Sequence, residues 1–316
     1  MLQLTEGIFL VLSAVLFILG TLANGFIGLV NGSSWFKSKR ISLSDFIITS
    51  LALSRIIQLS IIFSDSALLV SCSDAHDSGT VMQVIDIFWT FTNHMSIWLT
   101  TCLSVLYCLK IASFSYASFL WLKWRVFKVI VCMLLGALLS SCGSCISLTN
   151  EFKIYSILSR IDGTENTTEY FRKKSEYDLV HVLGTLWNLP PFLVSLASNI
   201  LLILSLGRHT RQMKQNGLSS KDPSTEAHKK AIKTILSSLF LLLLYFLAYL
   251  TASSSHFIPE TRTARMTGLI IAMIYPSGHS FILVLGNNRM KQMFVEMLRC
   301  KFGHLKPESK RLSPIG

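Results

Sequence analysis

Residues 43–63 read LSDFIITSLALSRIIQLSIIF, an apolar stretch with one arginine, Arg55, near its middle. A charge at the centre of a membrane helix costs roughly 2.5–3.5 kcal/mol on the insertion scale, and the surrounding Ile and Leu residues offset it. The stretch therefore counts as a membrane span. Working outward, six further runs carry no Asp, Glu, Lys or Arg at all: Gly7–Trp35, Ile87–Leu109, Val129–Asn150, Leu179–Gly207, Thr234–Pro259 and Met266–Asn288. Each is long enough to cross a hydrocarbon core of about 30 Å, which takes ~20 helical residues. With Arg55's stretch the count is seven.

The composition agrees. The 316 residues are 51% hydrophobic and only 15% charged, with a mean hydropathy of +0.52. Soluble domains carry roughly 25% charged residues, so the deficit lies in charge rather than in an excess of apolar residues. This excludes a soluble enzyme and a collagenous, disordered or disulfide-knot chain. The predicted fold is an all-α seven-helix membrane bundle, with spans near 7–30, 43–63, 85–108, 128–149, 179–206, 233–253 and 266–286. The whole chain, 1–316, reads as one membrane domain ending in a tail over 287–316. No loop is large enough for a second domain.

Seven spans leave the termini on opposite sides, so the loops fall into two sets. Residues 31–42, 109–128, 207–233 and 287–316 hold 21 of the 29 Lys and Arg; the opposite loops hold seven, and Arg55 is the last. The positive-inside rule puts the first set in the cytoplasm, the N-terminus outside and the C-terminus inside. The net charge of +12 thus belongs to cytoplasmic loops. Such loops orient the protein and contact anionic lipid head groups. Without a soluble basic module or interleaved aromatics, no nucleic-acid partner is expected. No Lys or Arg precedes the first apolar run, which is too long for a signal-peptide core, so it is expected to stay as a span.

Of two glycosylation sequons, Asn166-Thr167-Thr168 falls in the longest outside loop and Asn31-Gly32-Ser33 just inside, so only Asn166 is expected to carry a glycan. Cys142-Gly143-Ser144-Cys145 has redox-motif spacing but lies in an apolar helix, where buried thiols are the simpler reading. Residues 150–178 contain no cysteine, and without a disulfide the long outside loop is expected to be mobile. Gly28 and Gly32 match GxxxG, but the run leaves the bilayer at Asn31 and reads as a helix end. No HExxH, Walker A, GxSxG or metal-ligand spacing appears, so neither an enzyme nor a cofactor is indicated. A small-molecule transporter is the alternative class, against which stands the lack of matching halves.

Polar side chains inside spans carry the most functional information, because each must face the bundle interior. Arg55, with Asn24 at similar depth and Ser54 beside it, reads as a clamp on the first, second and seventh helices or as a two-state switch. Trp89, Asn93 and Ile97 recur at i, i+4, i+8 with Thr90 and Thr100 on neighbouring rows and His94 about 100° round. This face suits either a small-molecule cavity or an interhelical hydrogen bond. His181, Thr185 and Asn188 follow at i, i+4, i+7 before Pro190-Pro191. Tyr245 and Tyr249 stand four apart in the sixth span, and the seventh is apolar at Leu269, Ala272 and Met273. The polar groups of the third and fifth spans imply a cavity open to the outside.

Six strings, in order and in the appropriate loops, carry a resemblance that spans the chain: LANGFIGLVN (22–31), SLALSRI (50–56), CLKIASFSYASFLWLKWRV (108–126), LLILSLGRHTRQM (201–213), DPSTEAHKKAIKT (222–234) and YPSGHSFILVLGNNRMKQ (275–292). Together they resemble the type 2, or bitter, taste receptors, which are G-protein-coupled receptors. The resemblance implies a multi-pass plasma-membrane receptor for small bitter agonists, coupled to a gustducin-type heterotrimeric G protein. It carries ligand binding over to Trp89, Asn93 and His94, and more loosely to Thr185, Asn188, Tyr245, Tyr249 and Leu269. It implies an activation network around Asn24, Arg55, His279 and Ser280, and G-protein-facing positions at Tyr107, Lys110, Ser205 and Leu206. Neither a DRY nor an NPxxY string is present. Some relatives carry an acid where Leu269 stands, so neutral, largely apolar agonists with a hydrogen-bonding group are expected.

Overall fold

The computed structural model describes residues 2–38, 42–71, 79–161, 167–215, 223–254 and 262–303. Among these residues there are ten helices and no strand. They are α1 (Leu2–Ser38), α2 (Leu43–Ser71), α3 (Gly79–Ile111), α4 (Ala117–Trp124), α5 (Val126–Ile161), α6 (Thr167–Leu186), α7 (Leu189–Gln215), α8 (Pro223–Ser254), α9 (Arg262–Gly286) and α10 (Asn288–Gly303). Seven spans are long and apolar enough to cross a membrane, α6 and α7 together making the fifth. The seven-helix bundle predicted from the sequence is therefore present. Below, the end of the bundle where α1 begins is called the amino end, and the end where α10 follows α9 the carboxyl end.

Several helices outrun their apolar stretches. Residues 150–178, expected to form a mobile loop, are helical except for 162–166, which lie outside the described residues with Asn166 among them. Charge ends a hydrophobic run but not a helix, since Glu, Lys and Arg are good helix formers once the chain has left the hydrocarbon. Gly28 and Gly32 likewise lie inside α1 rather than at its end. Each glycine costs only about 1 kcal/mol against Ala, which tertiary packing overrides.

The fifth span, expected as one run over 179–206, is broken just before its proline pair. Pro191 has no N–H to give the carbonyl of Trp187, four residues back, so the ladder cannot run through. The chain makes a tight turn instead, with Trp187 N donating to Gly184 O at 3.3 Å and Asn188 N to Thr185 O at 3.5 Å. The orphaned Trp187 carbonyl is met from another helix: His94 Nε2 lies 3.0 Å from it. Thr101 Oγ1 donates to Pro191 O at 2.9 Å, fixing α3 to the start of α7.

Helix α3 is the axis of the bundle, packing on α2, α5 and α7, while α1 is held by α2 and α9. The largest apolar cluster joins Ile27, Ile47, Leu51, Leu103, Leu106 and Val284 toward the carboxyl end. At Gly20 the backbone of α1 comes so close to α2 and α9 that a Cβ would overlap Ser277 Oγ and meet Leu59 Cδ1 at 2.6 Å. Outward-facing Phe240, Leu244 and Leu247 on α8 and Leu135 and Leu139 on α5 remain exposed. Such rows of bare apolar side chains are what a lipid-facing surface requires.

Candidate ligand-binding site

Arg55 is fully buried at mid-depth of the bundle. Its Nη1 donates to Ser280 Oγ at 3.0 Å and its Nη2 to Thr100 Oγ1 at 3.3 Å. The Ser280 hydroxyl in turn faces Asn24 Oδ1 and Pro276 O, each at 2.8 Å. Asn24 Nδ2 donates to Gly20 O at 2.8 Å. The guanidinium also stands 5.6 Å from the centroid of the Tyr275 ring. Among the described residues it has no ion pair with a carboxylate; hydroxyls and a ring face disperse its charge. The clamp thus joins α1, α2, α3 and α9, one helix more than the sequence implied. His279 is 4% exposed, its ring 5.8 Å from that of Tyr275, and it makes no hydrogen bond to Arg55.

One turn along α2 from Arg55 stands Gln58, which the sequence reading passed over. Its Nε2 donates to Asn93 Oδ1 at 2.9 Å, and the Tyr245 hydroxyl donates to the same oxygen. With two donors on its carbonyl oxygen, the Asn93 amide is fixed in orientation, and its Nδ2 is the group left to serve a third partner. Tyr245 leans on Tyr275, ring centroids 4.8 Å apart. Two contiguous routes therefore run from Asn93 to Arg55, one through Gln58 and one through Tyr245 and Tyr275.

Asn93 lines a cavity of about 270 Å³ between α3, α5, α6 and α8, toward the amino end. Trp89, Thr90, His94, Thr185, Asn188 and Tyr249 share its wall. His94 is almost wholly buried and already committed, with Nε2 on Trp187 O and Nδ1 3.0 Å from Ser141 Oγ. It shapes the cavity by holding α3, α5 and the α6–α7 break together. Asn188, in that break, is 7% exposed, and its Oδ1 has no hydrogen-bond partner among the described residues, with the Tyr249 phenol alongside. Thr185 Oγ1 is bonded to Ser253 Oγ and donates to His181 O at 3.0 Å.

The wall contains one carboxylate, Glu151, which composition-based reasoning had assigned to a loop. Its Oε1 lies 2.7 Å from His181 Nδ1, and His181 Nε2 reaches Ser253 O at 3.1 Å. Gly143, inside the redox-like string, has a plainer use: a Cβ there would meet the Trp187 ring at 3.0 Å. Cys142 and Cys145 are both free thiols.

A second, larger cavity of about 560 Å³ lies between α3, α8 and α9. Tyr245 and Leu269 line this one rather than the first, and Trp89 and Tyr249 line both. The eight candidate ligand residues are thus gathered at one end but divided between two chambers that share an indole and a phenol. At the carboxyl end a third cavity, about 300 Å³, is lined by Tyr107, Leu202, Lys230, Thr234 and Asn288. Lys110 is exposed near it. Leu206 is packed with Cys108, Ala112 and Leu202, and Ser205 Oγ accepts from Ser113 N at 3.0 Å.

A family model described as taste receptor protein (TAS2R) matches residues 1–302. The chain belongs to the type 2 taste receptor family. It is 68% identical to taste receptor type 2 member 3 of Pongo pygmaeus over 308 residues, covering 97% of this chain and 98% of that one. Against the Homo sapiens protein of the same name identity is 67% over 311 residues, 98% of each. Against that of Mus musculus it is 60% over 306 residues, 96% of this chain and 97% of the other. The family read from six sequence strings is therefore the right one. The protein is a bitter taste receptor of the G-protein-coupled class, a multi-pass protein of the plasma membrane and not an enzyme.

Proposed function

We propose that this receptor binds small, neutral, largely apolar bitter compounds in the cavity around Asn93, with the N-terminus and that cavity facing outside. The observation that carries this reading is the state of Asn93, which lines the cavity with its carbonyl oxygen saturated by Gln58 and Tyr245, so that its amide nitrogen is the group left for a ligand. A ligand that stacks on Trp89 and offers a carbonyl or ether oxygen meets that donor. One that also carries a hydroxyl satisfies Asn188 Oδ1, which otherwise stays buried and unpaired at a cost of about 1–3 kcal/mol. Neutrality follows from Glu151, already engaged by His181, and in the adjoining chamber from Leu269 and from Arg265, whose charge already faces Asp65 at 3.8 Å.

Activation requires that the agonist bind more tightly to a bundle opened at its carboxyl end, because equal affinity for both states shifts nothing. The two routes from Asn93 to Arg55 give the ligand a physical connection to the clamp of Asn24, Arg55, Ser280 and neighbouring His279. Opening releases Leu206 from its cluster and Ser205 from Ser113. The widened carboxyl-end cavity, with Tyr107 and Lys110, then receives the C-terminal helix of a gustducin-type α-subunit. The basic loops at that end lie against anionic lipid, residues 287–316 form a cytoplasmic tail to a single receptor domain, and Asn166 carries the glycan.

A compound-library screen on cells expressing the chain with and without a chimeric taste G protein tests this reading. Calcium responses that need both the receptor and the G protein, and that fall in Trp89→Ala at unchanged surface level, support it. Agonists that act equally well on Trp89→Ala contradict it.

A further inference from the structure

At the carboxyl end, α7 and α8 bring two histidines together. The rings of His209 and His228 have centroids 4.9 Å apart and planes inclined by 56°. His209 is exposed and His228 half-buried. Among the described residues neither imidazole has a hydrogen-bond partner. The pair stands one turn beyond the last apolar contact between the two helices, where Ala231 packs on the Leu202 and Leu206 cluster. Nothing in the ligand cavities or the Arg55 clamp uses it.

Two imidazoles on one metal ion have a defined spacing. Zinc–nitrogen bonds of ~2.0–2.1 Å at a tetrahedral angle put the ring centroids about 5 Å apart, and the observed 4.9 Å is of that size. The surroundings select the kind of ion. Arg208, Arg211 and Lys229 are the pair's neighbours along the chain, and among the described residues no group of three or more His, Cys, Asp or Glu forms, so a hard cation held by charge and several oxygen ligands is not favoured. A borderline ion held through nitrogen is, with water completing its coordination.

We infer that His209 and His228 form a two-imidazole site for zinc or a similar borderline divalent metal, which ties the carboxyl ends of α7 and α8 together and so holds the receptor closed. The closing effect rests on the opening described under Proposed function; the metal site itself does not. A bridge between two helices favours the state in which they are near, by the ratio of its affinities for the two states.

The experiment has two arms on the full-length receptor. In the first, zinc is titrated calorimetrically into detergent-purified protein without agonist. Binding in the wild type that disappears in His209→Ala and again in His228→Ala is the expected result. No binding in the wild type, or binding unchanged in either variant, overturns the site. In the second, agonist-stimulated nucleotide exchange on the G protein is measured in membranes with zinc added or chelated. Zinc reduces the wild-type rate by about tenfold and leaves both variants responsive. Zinc that binds through the two histidines yet leaves exchange unaltered overturns the closing effect. Failure of every protein to respond under chelation tells instead against the agonist reading, and the calorimetric arm still decides the metal site.

Discussion

At the scale of single residues, Arg55 explains why a charge is retained in a span. A guanidinium offers donors in a planar fork, and here two of them reach hydroxyls on different helices, Ser280 and Thr100. Lysine carries its three donors on a single nitrogen and lacks the two separate nitrogens that meet these hydroxyls. Arg55→Lys is therefore expected to lower the thermal midpoint of the purified receptor, the loss corresponding to about 1–3 kcal/mol for a buried hydroxyl left unpaired. A midpoint equal to wild type would mean that the fork geometry is immaterial. The sequence made Arg55 and Asn24 legible because a polar residue in a lipid-length run stands out. Gln58 and Tyr275 were not, since glutamine and tyrosine gain their meaning from what faces them across the bundle. Leu269 and Tyr245 were found as cavity residues, but no periodicity tells that two chambers rather than one divide the wall.

At the scale of elements, the fifth span shows sequence and structure working through a single missing hydrogen. Pro191 leaves the Trp187 carbonyl without its helical donor, and His94 supplies one from α3. The two effects are thus coupled. His94→Ala alone is expected to destabilise by about 1–3 kcal/mol, and in a Pro191→Ala background the cost shrinks because the backbone N–H can return. Thermal unfolding of the four proteins measures the cycle, and strictly additive losses would contradict the coupling. Pro190 and Pro191 were legible, but the span was expected to run unbroken over 179–206 and is instead two helices. The sequence could not say that His94, which stands on the cavity wall, has both ring nitrogens engaged, one of them at this break. The helical course of 150–161 and 167–178 was hidden for a different reason: hydropathy reports where the bilayer ends, and a helix of Glu and Lys is under no obligation to end with it.

At the scale of the whole molecule, two routes lead from the Asn93 cavity, toward the amino end, to the Arg55 clamp at mid-depth, one through Gln58 and one through Tyr245 and Tyr275. Spatial continuity becomes coupling only if both ends bias the same two-state element. Double substitution at Gln58 and Ser280 is expected to alter agonist potency non-additively, by a coupling of about 0.5–2 kcal/mol read from concentration–response curves; additive shifts would disconnect the ends. Orientation is the other whole-molecule property. Asn31 is 6% exposed and its Nδ2 donates to Thr49 Oγ1 at 3.2 Å, so it is packed as well as expected inside. Asn166→Gln is expected to abolish an endoglycosidase-sensitive shift in gel mobility that Asn31→Gln leaves intact; the reverse pattern would invert the topology. The most direct measurement of all concerns Asn93 itself. With an agonist in hand and surface expression matched, the calcium response of Asn93→Ala is expected to be lost across chemically distinct agonists, whereas a full response to several of them would put the binding site elsewhere.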